Sequence, residues 1–511
     1  MTEKTNKSLA DRISHLAVMA AATLAIYLIF VYGYPLLPNI LPHENPFDLE
    51  MLMSDRRWFV FVYIGGLFGL YYLFWRSMRW LRRTAAENSN LLSGLKRFVL
   101  GGSLLYGIVL LFLYPVSAID VLNYYVRGRF WALYDASPML YSTNSFPNDP
   151  YMSLSGESQA YVSPYGPLWE LVVQIPLRLG AIEPGAGVVA IKLMLLLSLL
   201  ATAWLLGWKV FPKDEAGEKS SLLALTFYAW NPLVLMQGIG NGHNDILLML
   251  LVTAGIVLCQ RRRWLLAALA LVLATLAKLP GLLLLPIFAV LLLREETTWR
   301  DRITKLAVIF VVSVVVILLV YAPLGPLSEV FFGIQRIVLQ RRGFAPASAV
   351  RMILREIIPR EVAEPIPRTV ASVIFVIYYA SLLLRVWQGR LGMVAAGFWT
   401  YFSLIVLGAT FRIWYPLWLV PLAAIMLTSD SFWRAFLIGL TGELSIVSYF
   451  VLWRWELHDW AWGLEGPLGP YWNYWTIMTT FNVAWVFGIP LLVPPLLKRW
   501  KPETYQRSLL L

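Results

Sequence analysis

Long apolar stretches separated by short polar ones run along the whole chain. Many of them approach the about 20 residues that a helix needs to cross a bilayer. Because lipid offers no hydrogen bonds to a bare backbone, such runs predict α-helices. We expect about fourteen spans, near residues 14–34, 58–75, 98–116, 188–208, 221–239, 245–260, 264–278, 280–294, 304–322, 369–387, 392–410, 413–429, 434–452 and 473–495.

The first span is expected to stay in the protein as a membrane anchor. Its apolar run is too long for a secretory signal peptide, which also ends at a cleavage site made of small residues. Here the run is followed by Tyr34-Pro35-Leu36-Leu37-Pro38.

The composition supports a membrane protein and excludes other classes. Of the 511 residues, 59% are hydrophobic and 14% are charged, against about 25% charged in an ordinary soluble domain. A soluble fold has no means of hiding so much apolar surface, so soluble enzymes, disordered proteins and fibrous proteins are excluded. The net charge of +12 fits the basic cytoplasmic loops of membrane proteins, and no nucleic acid partner is needed to explain it.

The lysines predict which way the spans face, because cytoplasmic loops are enriched in Lys and Arg. Nine of the eleven lysines become cytoplasmic if both termini and the loops 76–97, 209–220 and 294–305 lie inside. The two exceptions are Lys192 and Lys278. We therefore expect a multi-pass protein of the plasma membrane with cytoplasmic N- and C-termini.

This topology divides the chain into three regions. Residues 1–97 form an N-terminal two-span segment, 98–322 form a core with a large external loop at 117–187, and 323–511 form a C-terminal membrane region. The chain is external at residue 117 and cytoplasmic at residue 209, so it crosses the membrane once between them. The predicted span 188–208 is that crossing. The apolar stretch 165–181 is therefore expected to be an interfacial or re-entrant helix.

The external loop 323–368 is rich in arginine and has no lysine. An amphipathic helix lying on anionic lipid headgroups would explain this composition. A phosphate-binding patch would also explain it, since the guanidinium fork matches phosphate oxygens. A topology that differs in this region is the third possibility. The seven arginines are Arg336, Arg341, Arg342, Arg351, Arg355, Arg360 and Arg368.

Five ionisable residues at span ends point to one functional face of the membrane. Charged groups at membrane depth are costly and are candidates for function. The topology places all five at the external face. One shared site explains this common location better than five unrelated charged residues would. They are Asp120, His243, Asp245, Lys278 and Arg412.

The stretch 117–170 offers a carboxylate followed by aromatic and polar residues. A partly desolvated carboxylate at Asp120 would accept a proton from an attacking hydroxyl. Alternatively, Asp120 solvates a helix end or pairs with Arg127 or Arg129. Tyrosine faces suit sugar rings as well as the headgroup belt. The candidates in this stretch are Asp120, Tyr124, Arg129, Asp149, Tyr151 and Tyr165.

Three further polar elements interrupt apolar runs. The first, Gly240-Asn241-Gly242-His243-Asn244-Asp245, offers a helix cap and a hydrogen-bond donor for a phosphate or a sugar. His243 and Asp245 also supply two metal ligands, but no third nitrogen or sulfur ligand lies nearby. We therefore expect no cofactor, with a divalent metal as the alternative.

The other two elements carry cations. Lys278 lies in Ala277-Lys278-Leu279-Pro280-Gly281, within an otherwise uncharged stretch. It either extends towards the interface, as membrane lysines commonly do, or balances the charge of a lipid phosphate. Arg412 is a similar positive group beside the aromatic residues Trp414 and Tyr415.

In their order along the chain, these elements resemble those of polytopic GT-C glycosyltransferases. They are an Asp after a span, Asn-Asp-Pro-Tyr, Ser-Pro-Tyr-Gly-Pro-Leu, Gly-His-Asn-Asp, Lys-x-Pro and a late Arg-x-Trp-Tyr, over roughly residues 98–430. The nearest similarity is to polyprenol-phosphate-mannose-dependent α-1,6-mannosyltransferases and the related DUF2029/GT87 group. The resemblance implies an all-α GT-C fold whose large first external loop contains juxtamembrane helices.

The resemblance also implies an activity. It suggests inverting transfer of a sugar, expected to be mannose, from a polyprenyl-phosphate donor to a glycan or lipid-linked acceptor at the external face. By position, Asp120 matches the acidic residue of the family and is expected to be the general base. Substrate binding is expected of Tyr124, Arg129, Asp149, Tyr151, Tyr165, His243, Asn244, Asp245, Lys278, Arg412, Trp414 and Tyr415.

A transporter or flippase of a lipid-linked sugar is the alternative function. That class predicts ionisable residues near mid-membrane and broken helices in matching repeats. The sequence shows no clear repeat, and its charged candidates lie at one face of the membrane. Both features favour an enzyme.

Overall fold

The computed structural model describes residues 2–40, 58–87, 91–330, 344–448 and 474–500, of which 2–13, 86–87 and 474–475 are described by their backbone alone. Within these ranges the chain is almost entirely helical, and pairing between extended segments is confined to isolated bridges, Pro35 with Leu113 and Phe344 with Phe411. The prediction of an all-α membrane protein is confirmed.

The main helices follow one another in chain order. They are α1 (Thr2–Gly33), α2 (Phe59–Glu87), α3 (Leu92–Leu110), α4 (Asp120–Tyr134), α5 (Pro167–Arg178), α6 (Pro184–Trp208), α7 (Glu215–Ala229), α8 (Asp245–Gln260), α9 (Trp264–Ala277), α10 (Leu284–Glu295), α11 (Trp299–Tyr321), α12 (Pro346–Arg355), α13 (Pro365–Trp387), α14 (Met393–Leu407), α15 (Val420–Met426), α16 (Ser429–Val447) and α17 (Tyr474–Trp500).

The count of fourteen spans is not confirmed. Seven helices in the described ranges are long and apolar enough to cross a membrane, or eight if α7 and the π-helix Val234–Gly240, which meet at 51°, form one span. Most of the other predicted spans coincide with shorter helices, such as α8 with 16 residues and α9 with 14. At about 1.5 Å per residue these fall short of the roughly 30 Å hydrocarbon core. Residues 449–452 and 473 of the last two predicted spans lie outside the described ranges.

The helices divide into a lipid-exposed set and a buried set. None of the most apolar stretch of α11 is buried by protein, and only 11% of that of α13 is. By contrast, α8 and α9 are apolar on all sides and lie side by side within the protein. Most of their side chains are buried, so α8 and α9 form part of the core.

Helix α5 corresponds to the apolar stretch 165–181. Its 12 residues span about 18 Å, too short to cross a bilayer alone. It lies against α4 and also touches α9. These contacts fit the juxtamembrane helix expected within the large loop.

Proline residues break the helices next to the site. Pro232 lies where α7 gives way to the π-helix, and Pro280 follows the end of α9. Pro416 opens a 3₁₀ turn at Tyr415–Trp418. Because proline lacks the N–H and crowds the preceding turn, each break leaves polar backbone and side chains at a helix end.

Candidate functional site

Three charged residues of the candidate site stand at helix ends. Asp120 is the first residue of α4, Asp245 is the first residue of α8, and Lys278 directly follows α9. A helix carries partial positive charge at its N-terminus and partial negative charge at its C-terminus. Each charge therefore lies at the end that stabilises it.

Asp120 is partly exposed and accepts a hydrogen bond from the Tyr165 hydroxyl at 2.6 Å. Burial raises the pKa of this carboxyl, but His243, the Tyr165 hydrogen bond, Lys278 and Arg412 together lower it below its usual value. Burial in turn lowers the pKa of His243 to about 4. Near neutral pH His243 is uncharged, and the groups that then act to lower the pKa of Asp120 are Tyr165, Lys278 and Arg412.

The Ser-Pro-Tyr-Gly-Pro element places Tyr165 beside Asp120. A Cβ atom on Gly166 would overlap the carbonyl oxygen of Leu276, so the loop lies directly on the backbone at the end of α9. The Tyr165 N–H donates to the Ser163 hydroxyl oxygen at 3.1 Å. The ring of Tyr124 meets that of Tyr165 edge-on, with centroids 4.6 Å apart. Glycine is required here for close approach of two backbones.

A buried acid that the sequence interpretation passed over lies behind Tyr165. Glu170 accepts a hydrogen bond from Ser163, and burial raises its pKa to about 7 despite that bond and the nearby charge of Arg127. Arg127 is also buried, and its guanidinium lies 5.7 Å from the centroid of the Tyr165 ring. The sequence gives little reason to single out Glu170, because one Glu on an apolar helix is also typical of a residue at the membrane interface.

Lys278 is already engaged by the His-Asn-Asp element. Its ammonium lies 2.6 Å from Asp245 Oδ2 and 3.1 Å from Asn244 Oδ1. The other oxygen of Asp245 accepts a hydrogen bond from the Trp418 indole. An ammonium has three N–H donors, so one remains for a ligand.

His243 is buried, and its ring nitrogens have no hydrogen-bond partner among the described residues. Its ring is fully buried and stacks on Trp414, with centroids 3.9 Å apart and planes 20° apart. Neither ring nitrogen has a hydrogen-bond partner among the described residues, and the same is true of the Asn244 amide nitrogen. Buried polar groups are normally bonded, so these atoms indicate a place for a ligand or for water.

Arg412 lies at the exposed rim of this cluster. Its side chain forms no ion pair with any residue the structure describes, yet its charge lowers the pKa of Asp120. Tyr415 lies partly exposed beside it and stacks on Trp418 at 4.4 Å. The structure therefore brings together Asp120, Tyr124, Tyr165, His243, Asn244, Asp245, Lys278, Arg412, Trp414 and Tyr415.

Arg129, Asp149 and Tyr151 form a separate cluster. The Arg129 guanidinium lies 3.3 Å from Asp149 and 4.9 Å from the centroid of the Tyr151 ring. Asp149 also accepts hydrogen bonds from the Tyr134 hydroxyl and the Tyr151 N–H, both at 2.9 Å. Arg129 lies nine residues after Asp120, which is about 13 Å along the helix. These contacts tie the loop to the far end of α4.

Part of the arginine-rich loop can be located. Arg351, Arg355 and Arg360 surround Glu364 at 3.2, 3.5 and 3.6 Å. Arg368 lies in the first turns of α13, and Arg336, Arg341 and Arg342 lie outside the described residues. Three guanidinium groups around one carboxylate leave an excess of positive charge at the start of a lipid-exposed helix.

A metal ion has no evident place in this arrangement. Within the described ranges, no three His, Cys, Asp or Glu side chains are grouped so that they would hold one. Of the two candidate ligands, Asp245 is occupied by Lys278 and Trp418.

Comparison with known proteins agrees with the resemblance of the motifs. A family model described as the N-terminal domain of alpha-(1->6)-mannopyranosyltransferases matches residues 19–294, which is more than half of the chain. The match includes most of the first span and the whole of the second, which the motif resemblance covered less well. Alpha-(1->6)-mannopyranosyltransferase A of Corynebacterium glutamicum is 26% identical over 163 residues, covering 31% of this chain and 32% of that protein. The aligned part is thus about a third of that relative's length. With its helical membrane architecture and its matched residues, the chain belongs to the alpha-(1->6)-mannopyranosyltransferase family.

Proposed function

We propose that this protein is a membrane mannosyltransferase that moves mannose from a polyprenyl-phosphate donor to a hydroxyl of a glycan or lipid-linked acceptor. One observation carries the proposal. A partly exposed carboxylate, Asp120, and the exposed guanidinium of Arg412 border buried polar atoms of His243 and Asn244 that have no partner among the described residues. A base, a cation for a leaving phosphate and free hydrogen-bonding groups are what sugar transfer from a lipid phosphate requires.

The reaction is proposed to be a single displacement. The acceptor oxygen forms a bond to the anomeric carbon while the bond from that carbon to the phosphate oxygen breaks. The acceptor proton passes to Asp120, and the polyprenyl phosphate leaves with the electron pair. Attack opposite the leaving group inverts the anomeric centre. The low pKa of Asp120 suits a late proton transfer, because the acceptor hydroxyl becomes strongly acidic as the new bond forms.

The cations are proposed to stabilise the leaving phosphate. Arg412 is exposed and forms no ion pair among the described residues, and the fork of a guanidinium suits phosphate oxygens. Lys278 keeps one N–H after bonding Asn244 and Asp245. Fixed positive charges at the site where negative charge develops lower the barrier without reorganisation. A phosphate that leaves in this way needs no metal.

His243 and Asn244 are proposed to bind the sugar or the phosphate. Since burial lowers the pKa of His243 to about 4, the neutral ring offers one N–H donor and one acceptor at neutral pH. Trp414 and Tyr415 are partly exposed next to it and offer aromatic faces for a sugar ring. We place this site at the external face, with both termini cytoplasmic.

Mannosyl transfer in proteoliposomes tests the proposal. The full chain would be reconstituted and supplied with polyprenyl-phosphate radiolabelled mannose and an α-mannoside acceptor. We expect labelled acceptor from the wild type and a loss of about 100-fold or more for Asp120→Asn, the range over which a general base contributes.

Asp135→Asn is the matched control, because Asp135 ends the same helix and its side chain is 85% exposed. We expect it to keep wild-type activity. Full activity in Asp120→Asn contradicts the role of Asp120. Movement of the intact lipid without sugar transfer supports the transporter instead.

A further inference from the structure

Two buried polar clusters join the chain segment before Asp120 to the segment before His243. The first segment leaves α3 at Leu110, and the second ends the π-helix at Gly240. Neither cluster belongs to the site described above. The segments that they join lie a few residues before Asp120 and His243, and most of the clusters' members are buried, where an unpaired polar group is costly.

Lys192 forms the first cluster. Its side chain on α6 is fully buried, and no carboxylate pairs with it among the described residues. Its ammonium instead donates to the carbonyl oxygens of Leu113, Gly240 (2.6 Å) and Leu110 (3.5 Å). Carbonyls at helix C-termini lack partners within the helix and carry partial negative charge. One cation therefore satisfies carbonyls from both segments at once.

Ser117, Gln237 and Asn241 form the second cluster. The amide of Asn241 donates to the Ser117 hydroxyl at 2.8 Å and accepts from the Ser117 N–H at 3.2 Å. The Gln237 amide also donates to the Ser117 hydroxyl, at 3.0 Å, and its oxygen accepts from Asn241 at 3.1 Å. Ser117 is three residues before Asp120, and Asn241 is two before His243.

Glu443 fixes this second cluster to another helix. The Gln237 amide donates to Glu443 Oε2 on α16 at 2.9 Å, and the whole Glu443 side chain is buried. Without this acceptor, Gln237 would be free to turn away from Ser117. The network therefore links the two site segments to the body of the protein.

We propose that Lys192 and Gln237 are positioning residues that hold Asp120 beside His243. This inference rests on the proposed function for its kinetic meaning. Displacement of a reacting group by about 1 Å is able to cost about 100-fold in rate. Loss of either clamp should therefore lower kcat more than it raises the KM for the donor, because the phosphate cations Arg412 and Lys278 form no bond to either cluster among the described residues.

Kinetics of Lys192→Met and Gln237→Leu test the proposal in the reconstituted full chain. We expect kcat to fall between about tenfold and about 100-fold, with donor KM within about threefold of the wild type. Glu443→Gln supplies the same acceptor oxygen and should keep the wild-type kcat. Glu443→Leu removes the acceptor and should resemble Gln237→Leu.

Two matched controls separate positioning from general loss of stability. Lys96 is a second buried lysine, paired with Glu218 near the other end of α3, so Lys96→Met makes the same change away from the site. Asn482 on α17 accepts from Ser448, the residue after α16, at 2.6 Å, so Asn482→Leu matches Gln237→Leu. Both controls should keep the wild-type kcat.

Hydrogen–deuterium exchange gives a readout that does not depend on the reaction. Amides in 111–122 and 237–247 should exchange faster in Lys192→Met and Gln237→Leu, and unchanged exchange overturns the proposal. If Asp120→Asn loses transfer while both clamp variants keep kcat, the positioning role fails and the proposed function stands. If the wild type transfers no mannose, the proposed function fails and the exchange measurement still decides the clamp.

Discussion

At the scale of the residue, the charges around Asp120 determine what chemistry it can perform. Burial alone would favour the protonated carboxyl, but His243, Tyr165, Lys278 and Arg412 together reverse that effect and lower the pKa of Asp120. Asp120 is thus an ionised but weak base. Such a group suits a reaction in which the acceptor hydroxyl becomes acidic before the proton leaves.

Removing the hydrogen bond from Tyr165 should move the pH profile. Because this bond lowers the pKa of Asp120, Tyr165→Phe should raise that pKa. In the proposed mechanism transfer depends on the ionised carboxylate, so activity should be lost as pH falls through this pKa. We expect the acidic limb of kcat against pH to shift to higher pH in the variant. Tyr141→Phe, an exposed tyrosine, is the control, and superimposable profiles for Tyr165→Phe and the wild type would count against the role of this bond.

Glu170 should make stability depend on pH. Burial raises its folded pKa to about 7 from an ordinary value of 4.5, so the folded state binds the proton more tightly than the unfolded state. Stability should therefore be highest below pH 4.5 and fall as pH rises to about 7, by on the order of 3 kcal/mol at most. Thermal unfolding in detergent between pH 5 and 8 should show a smaller loss for Glu170→Gln. Glu157→Gln, at an exposed position, should keep the wild-type slope.

At the scale of the element, the site consists of helix ends brought together. Two helices contribute acidic N-termini and one contributes a basic C-terminus, and the loop through Gly166 lies across the last of these. The helix breaks therefore allow charged groups to meet at the site. An unbroken span would place apolar side chains there.

Gly166→Ala should damage the site without unfolding the protein. The added methyl group would overlap the carbonyl of Leu276, so the loop must move away from α9 and take Tyr165 with it. We expect kcat to fall by at least about tenfold, since catalysis is sensitive to displacements of about 1 Å. Gly101→Ala is the control, because its added methyl group meets open space on α3. Equal activity in the two variants would show that the close approach is unimportant.

At the scale of the whole molecule, the topology that the lysine distribution predicts can be tested by labelling. With Cys259 replaced by Ala, single cysteines would be introduced as Tyr141→Cys in the large loop and Lys213→Cys between α6 and α7. Both positions are exposed. An impermeant maleimide should label the first in intact cells and the second only after permeabilisation. Labelling of both, or the reverse pattern, would refute the orientation.

Much of the fold was predictable, because apolar runs and prolines act locally. The spans near 14–34 and 188–208 coincide with α1 and α6, and Lys-x-Pro ends α9 where expected. The number of true spans was not predictable, since runs of 14 to 16 apolar residues are equally typical of core helices buried by protein. Whether protein or lipid covers such a helix depends on the neighbouring helices, and the apolar run itself does not indicate it.

The sequence alone determined that this protein is helical, belongs in a membrane and carries its charged candidates at span ends. These properties follow from local composition, because the cost of exposing apolar surface or bare backbone depends on each segment. Only the tertiary structure decided which polar groups meet. It paired Lys278 with Asp245 across 33 positions, separated Arg129 from Asp120, and placed Lys192 against carbonyls 48 to 82 positions away. Such pairings depend on how helices pack, and a hydrogen bond between residues distant in sequence is absent from the pattern of either segment.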